Sequence, residues 1–181
     1  MRRIVSIVAL GATVIAGPSF GGSGNFVKAP VILEDFGVFC PDEATGRVAA
    51  PDTERGFIDV INGDPQVDFH TDIVPGELGL GFGMRFRLEP GQDPVQGRVI
   101  ITHPPFGNPA VSRESYAITV ESEFSSMTQF DFDDAYEIQY GTWTLAIEID
   151  GEVLLSRDFT IVPADQSPIS TKLCEGPSMV S

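Results

Sequence analysis

Residues 143–158 read Trp143-Thr144-Leu145-Ala146-Ile147-Glu148-Ile149-Asp150-Gly151-Glu152-Val153-Leu154-Leu155-Ser156-Arg157-Asp158. Trp143, Leu145, Ile147 and Ile149 alternate with Thr144, Ala146 and Glu148, the pattern of a strand with one buried face. Asp150-Gly151 marks a turn into a second strand over Val153–Val162. Because side chains alternate with period two, the parity of the loop decides which of them are buried. A two-residue type I′ turn sets Trp143, Leu145 and Ile147 on one face with Asp158, Ser156 and Leu154, and two of those three are polar. A three-residue loop, Ile149-Asp150-Gly151 with Gly151 left-handed, instead pairs Ile147 with Val153 and Leu145 with Leu155. The odd loop with a glycine bulge is therefore expected. It places Arg157 opposite Trp143, with the guanidinium lying on the indole.

The same alternation recurs upstream. Met84, Phe86 and Leu88 face one way and Arg85 and Arg87 the other; Tyr116, Ile118 and Val120 alternate with Ala117, Thr119 and Glu121. Further strands are expected at Val31–Phe39, Val67–Val74 and Arg98–Thr102. Turn-forming clusters separate them: NGDP at 62–65, PGELGLG at 75–81, EPGQDP at 89–94 and PPFGNP at 104–109. About seven to eight short strands with such turns specify an all-β domain, an immunoglobulin-like antiparallel β-sandwich over residues 31–162. No internal repeat and no second domain is visible in the 181 residues.

Ahead of the sandwich, Met1-Arg2-Arg3 is a short basic head, and Ile4 to Ala16 is an uncharged apolar run of roughly 13 residues. A membrane span needs roughly 20. The small residues of GPSFGGSG follow, so residues 1–21 are expected to be a signal peptide cleaved after Ala16 or Gly21, with a linker over 22–30. No membrane span is expected after leader removal, and the destination is the periplasm or the exterior. Export to an oxidising compartment changes how the two cysteines read. Cys40 and Cys174 are the only partners available within the chain, and their disulfide is expected to tether the polar tail, residues 163–181.

The formal net charge is −15, from 11 Lys+Arg against 26 Asp+Glu. Losing Arg2 and Arg3 leaves 9 bases against 26 acids, or −17. So acidic a surface repels phosphate backbones and anionic lipid heads, which excludes nucleic acid as a partner. Its direct consequence is solubility.

Few residues carry chemistry. His103 lies in Thr102-His103-Pro104-Pro105-Phe106-Gly107-Asn108-Pro109, where two prolines withhold ladder hydrogen bonds; the stretch is expected to terminate a strand. No serine or cysteine nucleophile adjoins His103 in sequence. In Asp68-Phe69-His70-Thr71-Asp72, strand alternation sets Asp68, His70 and Asp72 on one face, suitable divalent-metal ligands if His103 or another acid converges from a neighbouring strand. Side chains on one strand point in parallel, however, and the competing account is a polar stripe opposite Val67, Phe69, Thr71 and Ile73. The run Phe130-Asp131-Phe132-Asp133-Asp134-Ala135-Tyr136-Glu137 lacks the spacing of an EF-hand calcium loop and reads as a solvated acidic connection with its aromatic side chains turned inward, with an irregular calcium site as the alternative. GELGLGFG precedes a strand rather than a helix, so it does not cradle phosphate. No catalytic residue and no cofactor is expected.

With these segments placed, the chain resembles the bacterial family known as domain of unknown function 3859, from about Val31 to Val162. The likeness rests on Glu34-Asp35-Phe36-Gly37-Val38-Phe39, on Thr71 through Pro75, on Phe82-Gly83-Met84-Arg85-Phe86 and on the proline pair after His103. It continues in Phe132-Asp133, Tyr136-Glu137-Ile138 and Gly141-Thr142-Trp143-Thr144. The family usually has tryptophan where this chain has Tyr136, and the cysteines stand outside its pattern. The resemblance implies a compact β-sandwich and assigns no reaction, substrate or catalytic residue. The expectation is thus an exported, non-enzymatic binding or structural module. Its partner would be a protein or small molecule held at an exposed apolar patch or an open strand edge. The alternative is a metal-binding protein or metal-dependent enzyme using His70, His103 and Asp68 or Asp72.

Overall fold

The alternating segments pair into two layers with the hydrophobic core between them. The structure is a computed structural model that describes residues 24–61, 63, 65–169 and 174. The expected signal peptide lies outside the described residues.

The larger layer orders β1 (Phe26–Val27), β11 (Glu152–Val162), β10 (Gly141–Ile149), β7 (Val95–Phe106) and β8 (Val111–Val120), with β5 (Ile73–Pro75) running parallel to β11. The smaller orders β2 (Val31–Phe39), β6 (Gly81–Leu88) and β9 (Ser126–Asp131), and a separate hairpin joins β3 (Ala44–Ala49) to β4 (Phe57–Ile61). All pairings except β5–β11 are antiparallel. The result is the expected immunoglobulin-like sandwich, but with 11 strands among the described residues rather than seven to eight. The additional ones are short or lack a clean inner face. Every residue of β3 is exposed and every residue of β4 half-buried, so neither leaves an alternating trace. The described part of the expected linker contributes β1 to the larger sheet.

Along β11 the outer edge is covered over most of its length. β1 meets Leu155 and Ser156, β5 meets Thr160 to Val162, and between them Asn25 Oδ1 accepts the Asp158 N–H at 2.7 Å.

The β10–β11 hairpin corrects the expected loop. Asp150 (φ 51°) and Gly151 (φ 78°) form the two-residue type I′ turn, with Ile149 paired to Glu152. Parity is restored farther along, by a bulge at Leu154 between the pairs Glu148–Val153 and Ile147–Leu155. The bulge shifts the register by two residues from expectation: Leu145 meets Arg157 and Trp143 meets Phe159. Arg157 therefore does not reach the indole. Its guanidinium lies over the Phe36 ring, 3.3 Å from the centroid, and pairs with Asp72 at 3.5 Å. Leu155 is buried with Leu145 and Ile147 as expected, but Val153 pairs with Glu148 and is half-buried, while Leu154 and Ser156 are buried as well.

Two other expectations change. Segment 67–72 forms only an isolated antiparallel bridge, Val38 to Phe69, along the free edge of β2. A Cβ on Gly37 would stand 2.1 Å from the Phe69 carbonyl, so only glycine allows this approach. Arg85, expected on a solvent face, is buried and donates to the Pro65 carbonyl at 2.6 Å. The second change concerns THPPFGNP, which does not end its strand. β7 stays extended through Phe106, but pairing lapses from His103 to Pro105 and resumes at Phe106–Val111. Proline φ fits an extended chain, and neither proline is asked for an N–H by β8 or β10.

Candidate functional site

His103 follows Val99 and Ile101 on the inner face of β7, and that phase buries all three. Its ring is stacked between Phe106 (centroids 4.2 Å apart) and Trp143 (4.6 Å). Nδ1 stands 2.9 Å from the Pro104 carbonyl, which can only accept, so Nδ1 carries a proton. Nε2 faces Glu114 Oε1 at 3.3 Å, without the geometry of a hydrogen bond. Glu114 is buried because it continues the inner phase of Tyr116, Ile118 and Val120 on β8. Its other oxygen accepts the Glu54 N–H at 3.0 Å, which ties the loop leading into β4 to the sandwich. With aromatic rings on both faces, the His103 side chain is enclosed in the core.

On the other side of Glu114 an open cleft of ≈ 430 Å³ lies among β4, β8 and β9. β8 ends the larger sheet, β9 ends the smaller one, and β4 pairs only with β3, so three strand borders meet here. Phe57, Ile101, Ile118, Met127 and Phe130 supply apolar wall, and the polar lining holds six carboxylates against one guanidinium, Arg55. Arg55 is bound to Asp133 and lies 3.8 Å from Asp59. The Tyr116 hydroxyl meets Thr128 Oγ1 at 2.6 Å, and burial raises its pKa to about 12.

Two carboxyls in this region are held above their ordinary range. Burial raises Asp131 to about 6, with Asp133, Asp59 and Asp42 adding repulsion and the Gln129 amide opposing. Burial likewise raises Glu137 to about 7, against the Asp134 N–H and Arg55. For Asp131 the folded state holds its proton to higher pH than the unfolded chain, so this group's contribution to stability falls as pH rises from about 4 to about 6. Asp131→Asn is accordingly expected to stabilise the protein by about 1–3 kcal/mol above pH 7, a gain that disappears below about pH 4. Thermal melting of both proteins at pH 4 and 8 checks this; a difference independent of pH contradicts it.

The four residues considered as metal ligands are not brought together. Asp68 Oδ2 accepts the Cys40 N–H at 2.7 Å, His70 pairs with Asp35 at 2.9 Å on the surface, Asp72 pairs with Arg157, and His103 is enclosed. Among the described residues no group of three or more His, Cys, Asp or Glu side chains is placed to hold a metal ion. The acidic run divides similarly: Asp131 takes the Gln129 amide, Asp133 takes Arg55, and Glu137 Oε2 accepts the Asp134 N–H. Cys40 and Cys174 form the expected disulfide, with Cα atoms 5.4 Å apart.

Comparisons with known proteins agree with the fold. The family described as Domain of unknown function (DUF3859) matches residues 28–161. A solved structure of an immunoglobulin-like protein from Pseudomonas aeruginosa is similar over 78% of this chain and 99% of its own, with a TM-score of 0.51 at 16% identity, a likeness of fold alone. No curated protein matches.

Proposed function

Because this chain belongs to the family described as Domain of unknown function (DUF3859), we propose that it is an exported, non-enzymatic binding module whose contact surface is the cleft among β4, β8 and β9. The observation that carries this reading is the meeting of three unpaired strand borders at one open, partly apolar trough. The histidine beside it is stacked between rings and turned toward Glu114, which supports holding over turnover. Export is supported by the leader pattern in residues 1–21 and by the Cys40–Cys174 bond. No helix among the described residues is long and apolar enough to cross a membrane.

Met127 lines the trough, so Met127→Trp is expected to fill it. Immobilised wild-type protein should retain a defined set of molecules from an exported-protein extract, and the variant should lose at least nine-tenths of them. Equal retention by the two proteins rejects the cleft as the contact surface.

A further inference from the structure

The cleft has a chemical bias that its shape alone does not explain. Among the described residues Asp131 has the Gln129 amide as its side-chain partner, at 2.9 and 3.1 Å, and no cation. Gln129 Oε1 is itself buried without a hydrogen bond. Glu114, 6% exposed, turns Oε1 toward His103 Nε2 at 3.3 Å, and Arg55, the guanidinium of the cleft lining, is already engaged by Asp133 and Asp59. Asp131 and the Gln129 carbonyl therefore stand in a partly apolar setting with no cation beside them among the described residues, and an unmet acceptor there is costly. The same space is bordered by three strands whose outer backbone N–H and C=O groups lack a ladder partner over most of their length. One such group on β8 is already taken up, the Ser115 N–H by the Asp52 carbonyl at 3.0 Å, which shows the direction in which this border bonds.

From this juxtaposition we infer that the occupant is an extended peptide segment presenting a lysine or arginine side chain. Its backbone adds to the free strand borders, and its cation enters between Asp131 and the Gln129 carbonyl. The inference rests on the binding-module reading and supplies its ligand class. An extended chain matches unpaired strand edges through main-chain hydrogen bonds. A side-chain ammonium or guanidinium supplies several N–H donors to Asp131 and the Gln129 carbonyl, in a lining that holds six carboxylates and one guanidinium. Charge runs the same way for the whole chain, at −15, so a basic segment is drawn toward it and an acidic one repelled.

The test uses the full, disulfide-bonded protein and three fluorescein-labelled heptapeptides of alternating threonine and valine. The first carries a central lysine, the second glutamine in its place, and the third is the lysine peptide N-methylated at alternate amides. Fluorescence anisotropy at low salt should show the lysine peptide binding at least tenfold tighter than either of the others. In Asp131→Asn, checked for folding by its melting curve, the lysine-to-glutamine ratio should fall below threefold; Asp59→Asn provides a second variant from the opposite wall. Equal affinities for lysine and glutamine, or an unchanged ratio in both variants, overturn the cationic ligand. Undiminished binding of the N-methylated peptide, or competition by n-butylammonium as effective as the lysine peptide, overturns the added strand. Retention from the extract that Met127→Trp abolishes, together with no lysine preference, leaves the binding-module reading standing while this inference falls.

Discussion

Replacing Cys174 with serine is expected to lower the free energy of unfolding by about 5 kcal/mol. The bond to Cys40 spans a sequence separation of 134, and closing so long a loop removes much of the freedom of the unfolded chain. That loss approaches the whole stability of many domains of this size. Cys40 follows directly on β2, and its N–H is held by Asp68, so one anchor of the bond is fixed in the sandwich. Urea unfolding of the oxidised protein, the reduced protein and Cys174→Ser gives the comparison. The last two should coincide and fall well below the first. A loss under 1 kcal/mol would mean that the unfolded chain is already compact enough for the bond to constrain little.

The second large effect is expected at Trp143. Its side chain is fully buried on β10, with Phe130 at 4.7 Å, Phe82 edge-on at 5.6 Å and His103 stacked at 4.6 Å. The indole N–H donates to the Gln139 carbonyl at 2.9 Å, fixing the segment between β9 and β10. Trp143→Ala leaves a cavity bordered by rings from both sheets and strips that carbonyl of its donor. The expected cost is about 3–5 kcal/mol. Because this is the chain's single tryptophan, unfolding has to be followed by far-ultraviolet circular dichroism. A cost under about 1.5 kcal/mol would show that the surrounding rings collapse into the space.

Strands with one dry and one wet face were legible in the sequence. β2 matched its expected bounds, and β10 and β11 were placed within a residue or two of theirs. The bulge at Leu154 was not legible, because Leu154 and Leu155 are both apolar and both buried, and alternation cannot say which one is extra. β9 was hidden by the acids that follow Phe130, and the β3–β4 hairpin by its lack of an inner face. The His103–Glu114 pair did leave a trace. His103 stands in phase with Val99 and Ile101, and Glu114 with Tyr116, Ile118 and Val120, which identifies two polar side chains pointing inward. The cleft left none, because it is assembled from residues 53–65, 101–118 and 125–137, segments that only the paired sheets bring side by side.

The arrangement along β11 has a consequence for self-association. Indefinite growth of a ladder into a fibril requires each copy to receive a strand at one border and offer another at the opposite one. In the larger sheet the border beyond β11 is sealed by Asn25, β1 and β5. A visiting strand can dock beside β8, but across the sheet a further copy would meet only β1 and β5, strands of two and three residues, too short to continue the ladder well.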